Sequence, residues 1–335
     1  MNMQKWANDI IENKNRSVMP IMTYLGLEII HKNIMDAITD GDIHSACMEV
    51  LSKKYPSVAS TSIMDLSLEA EAFGCPVVFS NTEVPTVSNS ILHNRDEVLS
   101  LRIPSIGEKR TKESLKALRQ AASRIEKPVF GGIIGPFSLS GRLYGMTEIM
   151  TAALMEPEIV HLLLEKATTF LIQFAEAIKK TGANGLLIAE PASGLLSPDL
   201  CNEFSSFYLR QIISRVQDDS FMVILHNCGA DICHIPAMLS TGAHSLHFGN
   251  KIEIPAVLPK IPEDVLVFGN IDPANFFKNG TVAEVKNTTH HLLESTTPWK
   301  NFVLSSGCDI PPNTPVKNVE AFFDALSDYN KHLHK

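Results

Sequence analysis

The run Gly185-Leu-Leu-Ile-Ala189, the helix-spaced segment Asp199–Gln217 and the run Met222-Val-Ile-Leu-His226 read in order as one β-α-β unit. Both flanking runs are short, apolar and β-rich, and the segment between them carries its apolar residues at helical spacing. The pattern repeats in both directions. Further strands are expected at Ile21–Leu25, Ser60–Met64, Val129–Ile134, Ser245–Phe248, Val265–Asn270 and Phe302–Ser306. Helices are expected over Met35–Leu51, Lys112–Ile125, Glu156–Thr181, Asp231–Thr241, Val282–Glu294 and Pro315–Asn330. Strands that alternate with helices in this way form parallel β-α-β units. Eight of them match the closure of a (β/α)8 TIM barrel, whose strands are covered on both faces. An open doubly wound sheet suits the same alternation, but no Gly-x-Gly-x-x-Gly follows any of these strands.

The expected domain is a single (β/α)8 barrel over residues 1–335, with an elaborated excursion around 77–110. That excursion holds Pro85 and Pro104, follows Pro76, and reads as a long loop or short hairpin near the barrel mouth. The tail His332–Lys335 is polar and is expected to be disordered. Hydrophobic residues make up 44% of the 335 and charged residues 20%, which suits a soluble globular chain with a sizeable core. The net charge is −8 and no basic stripe is visible, which argues against nucleic acid and anionic membrane surfaces as partners. No apolar run approaches the length of a membrane span, and the N-terminus lacks the apolar core of a signal peptide. Six cysteines are too sparse for a disulfide framework, so a reducing cytoplasmic setting is expected, where free thiols can serve as metal ligands.

Two strand ends carry the chemistry. In Met222-Val-Ile-Leu-His226-Asn-Cys228-Gly229, His226 and Cys228 are two residues apart and project to the same side of a strand. Gly229 then permits a sharp turn. In Val303-Leu-Ser-Ser-Gly307-Cys308-Asp309 a second strand ends in a cysteine. As the fifth and eighth strands of a barrel, both would end at its C-terminal mouth, where such folds place their chemistry. One imidazole and two thiolates suit zinc and leave the fourth tetrahedral position open, the mark of a catalytic site. The plain alternative is a buried apolar cysteine and a structural histidine. Cys233 and His234 fall in the following helix, where packing is expected for Cys233.

His226-Asn-Cys228-Gly together with Ser-Gly-Cys308-Asp-Ile-Pro-Pro-Asn-Thr-Pro315 resembles the uroporphyrinogen decarboxylase superfamily, and within it the methylcobalamin:coenzyme M methyltransferase branch. Other stretches that carry the resemblance are Met64–Cys75, Gly135-Pro136-Phe137-Ser-Leu-Ser, Ala189-Glu190-Pro-Ala-Ser193-Gly194 and Phe268-Gly-Asn270-Ile-Asp272-Pro273. The resemblance implies a zinc bound by His226, Cys228 and Cys308. Where decarboxylases of the family carry an Arg-x-Ala-Gly-Arg clamp, this chain reads Met19-Pro-Ile-Met-Thr-Tyr24-Leu-Gly. There are departures from the methyltransferases as well. Their Ala-Asp-Pro is Ala-Glu190-Pro here, and the acid expected near a Phe-Asp step is replaced by His247-Phe248-Gly249-Asn250. Water, the thiol, Glu190 or His247 would then fill the fourth zinc position.

The activity implied is zinc-dependent transfer of a methyl group from a methylated corrinoid to a zinc-activated thiol such as coenzyme M. Only a thiolate is a strong nucleophile, and zinc binding deprotonates a coordinated thiol. The chain has no Asp-x-His-x-x-Gly cobalamin motif, so the corrinoid is expected from a separate protein or as free substrate. Glu190 is the candidate catalytic carboxylate: a ligand, a proton acceptor or a partner of His226, with a turn-capping role as the plain alternative. Tyr24, Asp65, His247, Asn270 and Asp272 are candidate substrate-binding residues at strand ends, though Asn270-Ile-Asp272-Pro273 is also turn chemistry. Gly135-Pro136-Phe137 reads as loop geometry, and Arg142 as a surface arginine or an anion contact. The alternatives are a metal-free decarboxylase with an arginine-rich cleft, and a non-catalytic member that binds zinc or corrinoid without turnover.

Overall fold

A computed structural model describes residues 1–333. Nine strands occur among them. They are β1 (Ser60–Thr61), β2 (Val77–Val78), β3 (Thr86–Val87), β4 (Val129–Ile134), β5 (Gly185–Ala189), β6 (Met222–Asn227), β7 (Ser245–Phe248), β8 (Leu266–Ile271) and β9 (Phe302–Ser306). Seven of them form one parallel sheet in the order β1-β4-β5-β6-β7-β8-β9. Every residue of β4, β5, β6, β7 and β9 is buried. This is why their sequences run apolar without alternating: helices cover one face and the barrel interior the other.

The expected first strand, Ile21–Leu25, is not a strand. The chain closes the barrel slightly earlier, through an irregular segment. Met19 N donates to Leu304 O, Leu304 N to Ser17 O, and Val58 N to Val18 O, so residues 17–19 bridge β9 and the approach to β1. Pro20 explains the failure of a regular ladder, since it has no N–H to donate and sits where the strand would run. The expected strand Ser60–Met64 shortens to Ser60–Thr61. The architecture is a (β/α) barrel of seven regular strands and one irregular stave.

Two apolar layers hold it together. One lies between strands and helices. The other fills the barrel interior with Phe130, Leu187, Met222, Ile224, Leu266 and Phe268, all essentially inaccessible. Each such side chain contributes about 1.5–3 kcal/mol on burial. The helix Met3–Glu12 closes the bottom of the interior, placing Met3, Ala7 and Ile10 in the same cluster. The largely polar sequence of this segment hides the plug.

Most helices form near their expected bounds. The helix expected over Met35–Leu51 is split into Ile34–Thr39 and Gly41–Lys54, because Asp40 turns extended and its carboxylate caps the second helix at Asp42 N. The stretch after β4 is helical, not loop: Pro136 stands at the first position of Pro136–Tyr144, where proline is well tolerated. The excursion carries the antiparallel pair β2–β3 and a helix Arg95–Ser100. Of the tail expected to be disordered, His332 ends the helix Val316–His332, Leu333 is its C-cap, and the remainder lies outside the described residues. No helix among the described residues is long and apolar enough to cross a membrane.

Candidate metal centre

β6 delivers His226 at its end and Cys228 one residue beyond. The intervening Asn227 faces away and donates to Ser193 Oγ at 2.9 Å. Gly307 and Cys308 follow β9 directly. One donor atom from each of His226, Cys228 and Cys308 lies within 4.8 Å of the other two, and this is the one such group found among the described residues. His226 is buried, while the two cysteines are half-buried. The sulfur side of the group is therefore the side open to the mouth.

Two observations test whether these residues suit a metal ion. His226 Nε2 is buried and has no hydrogen-bond partner. A buried polar atom left bare costs about 1–3 kcal/mol, so it calls for an acceptor of its lone pair. The two thiols form a coupled pair: a hydrogen bond from Cys308 draws Cys228 down to about 7, while the same contact and burial push Cys308 up to about 12. A soft divalent cation suits a neutral imidazole and two thiolates, and the donor set fits zinc.

Close packing constrains the site. A Cβ added at Gly249 would stand 2.6 Å from both Cα and O of Cys228, so no side chain fits there beside the ligand loop. Gly229 was expected to give a sharp turn. It is not among the glycines with positive φ; instead its missing Cβ would meet Pro191 O at 2.9 Å. Cys233, expected to pack inside a helix, is exposed on a short 3-10 turn with its sulfur 3.5 Å from His234 Nδ1.

The other residues picked from the sequence lie around the mouth with their polar atoms variously committed. His247 sits beside His226, Nδ1 to Nδ1 at 2.8 Å, and its Nε2 lies 2.9 Å from Ser305 Oγ. Both its nitrogens are occupied, and burial holds its pKa well below the ordinary histidine range. The Glu190 carboxylate accepts from Phe137 N at 2.9 Å, Ser138 N at 2.6 Å and Ser138 Oγ. It caps the helix Pro136–Tyr144 rather than its own turn, and burial lifts it to about 7 against the pull of those donors. Asp272 caps the turn after β8 at Ala274 N and Asn275 N, and accepts from Asn250 Nδ2 at 2.7 Å. Asn270 Nδ2 donates to Gly249 O and Ile252 O, clamping the loop after β7.

Asp65 forms a buried ion pair with Arg110, which also reaches Glu71 Oε2 at 2.6 Å and lies under the Phe79 ring at 4.9 Å. Sequence reasoning passed over Arg110; one arginine among several on the excursion carries no local signal. Tyr24 is different. Its hydroxyl is buried with no partner, and burial pushes its pKa well above the ordinary value. It lines a cavity of about 340 Å³ with Met64, Val84, Arg142, Asp309 and Ile310, against the loop that carries Cys308. Asp309, also missed, accepts from Thr23 N at 2.9 Å and is lifted to about 6 by burial. A second cavity of about 420 Å³ shares Leu66, Val87 and Arg142 with the first and reaches Ile134 and Pro191.

The chain matches the family model described as Uroporphyrinogen decarboxylase (URO-D) over residues 16–329. The methylcobamide:CoM methyltransferase MtbA of Methanosarcina acetivorans is 26% identical over 270 residues, 79% of this chain and 78% of that protein. The uroporphyrinogen decarboxylase of Pseudoalteromonas translucida is 25% identical over 300 residues, covering 84% and 82%. A solved methyltransferase from Methanosarcina mazei shares the fold with a TM-score of 0.87 at 20% identity, over 98% of this chain and 99% of that one. With the family model spanning nearly the whole barrel, the chain belongs to the uroporphyrinogen decarboxylase family.

Proposed function

We propose that the chain is a zinc-dependent methyltransferase that moves a methyl group from a methylated corrinoid, carried by a separate protein, to a small thiol. The observation that carries this reading is the bare Nε2 of His226, buried and grouped with two thiols at the barrel mouth. Relatives named as methylcobamide:CoM methyltransferases, at 25–26% identity, favour the same reaction class. His226, Cys228 and Cys308 would hold the ion. When bound, zinc supplies the Lewis acidity that keeps a coordinated substrate thiol as its thiolate near neutral pH.

The reaction would balance without any further redox partner: the thiol would release its proton to solvent, its sulfur would bond to the methyl carbon, and the electron pair of the broken carbon–cobalt bond would stay on the corrinoid. The chain's own side chains then have positioning roles. The cavity beside Cys308 offers apolar walls from Met64, Val84 and Ile310 for the body of the thiol. Tyr24 forms part of its wall. Arg142 stands on the wall shared by both cavities with no carboxylate partner among the described residues, and suits an anionic substituent. Glu190 acts indirectly, holding the helix that carries Arg142.

The metal-free decarboxylase reading asks for several free arginines in one cleft. Arg110 is neutralised by Asp65 and Glu71, and Arg102 pairs with Glu108, which disfavours it. The test is an assay of zinc-loaded protein with methylcobalamin and 2-mercaptoethanesulfonate or related small thiols. Thioether should form, and formation should stop on chelation and in Cys308→Ser. Absence of thioether with stoichiometric zinc bound, or uroporphyrinogen decarboxylation that survives chelation, would overturn the reading.

A further inference from the structure

We propose that His247 and Ser305 are positioning residues which set the tautomer and aim of His226, so that its Nε2 lone pair faces the two sulfurs; the inference rests on the metal reading above. The single proton of Ser305 Oγ goes to Met19 O, 2.7 Å away. Toward His247 Nε2, at 2.9 Å, the hydroxyl can then only accept, so that nitrogen carries a hydrogen. His247 Nδ1 and His226 Nδ1 are 2.8 Å apart and need one proton between them. Were it held by His247, that ring would be a buried imidazolium with both nitrogens against neutral groups, an arrangement far more costly than a neutral ring. The proton therefore sits on His226 Nδ1. Its Nε2 is left with a free lone pair, and this is the buried atom found without a partner.

The relay is built from five staves of the barrel. His226 and His247 are direct register partners on β6 and β7, so their inward side chains meet. The rings lie edge to face, with centroids 4.6 Å apart and planes at 77°. Phe268 on β8 stacks parallel to the His247 ring at 6.3 Å, which fixes its plane. Ser305 on β9 and the Met19 carbonyl on the irregular stave complete the chain. Neutral imidazole is the form a metal binds, and the group beyond the ring selects which nitrogen is offered.

The assignment is testable in the metal-free full chain before any substitution. With 15N-labelled histidine, long-range proton–nitrogen correlations should show His226 protonated on Nδ1 and His247 on Nε2. Zinc affinity, measured by competition with a chromophoric chelator at fixed pH, should fall about 10- to 100-fold in Ser305→Ala and in His247→Leu. His247→Gln should recover much of the loss, because its amide can accept from His226 and donate to Ser305. His226 protonated on Nε2, or Ser305→Ala binding zinc within twofold of the parent, would overturn the proposal. A parent that takes up no zinc sinks the metal reading itself, while the spectrum still decides the relay.

Discussion

Glu69 sits 1% exposed on the helix Leu68–Phe73. Its Oε1 accepts from Ile134 N at 3.1 Å, its Oε2 has no partner, and burial lifts the carboxyl to about 8. Between its ordinary value and about 8 the folded chain holds a proton that the unfolded chain has released. Stability from this group is thus complete below the ordinary value and is lost as pH rises through about 8. Urea unfolding at pH 5 and pH 9 should show the parent losing on the order of a few kcal/mol more than Glu69→Gln. Parallel pH profiles for the two proteins would contradict this. Glu69 lies inside a stretch that carried the family resemblance, yet its burial could not be read from the sequence. An acid on a short helix looks solvated until the helix is seen packed across β4. The two loops that carry the candidate donors were legible for the opposite reason. A histidine and a cysteine two apart at the end of an apolar run share a face whatever the partner strand.

The pairing of β6 with β7 shows what strand patterning leaves open. Continuous apolar runs announce parallel strands, but with both faces buried they do not state a register. His247 was therefore readable only as a mouth residue, and its place next to His226 came from pairing. The same register sets Gly249 against the backbone of Cys228. An alanine there must push the ligand loop or the β7 end outward. Gly249→Ala should cost about 1–3 kcal/mol of stability in urea unfolding. Its zinc affinity should fall at least about tenfold, since small displacements around a metal ligand cost on that order. Unchanged zinc affinity would show that the loop has more room than the packing indicates. Asp272 and Asn270 teach a related lesson. Asp-Pro and Asn at a strand end are turn chemistry first, and here their polar atoms hold the loops after β7 and β8.

The barrel class followed from eight alternating units with no Gly-x-Gly-x-x-Gly after any strand, but its closure did not. Proline at position 20 turns the stave 17–21 irregular, and tertiary contacts to β9 and Val58 complete the ring in spite of it. The polar N-terminal helix hides three inward apolar residues that stop the bottom of the interior. With that end closed, the candidate donors His226, Cys228 and Cys308 all lie at the opposite, C-terminal mouth, where barrels of this kind place their chemistry. Three candidate donors meet there, with a fourth proposed from outside. X-ray absorption at the zinc edge of the loaded protein, recorded before and after a small thiol is added, measures that count. Two sulfurs among about four scatterers, rising to three with thiol, is the expected result. A shell of four protein ligands that thiol leaves unchanged, or fewer than two sulfurs from the start, would contradict it.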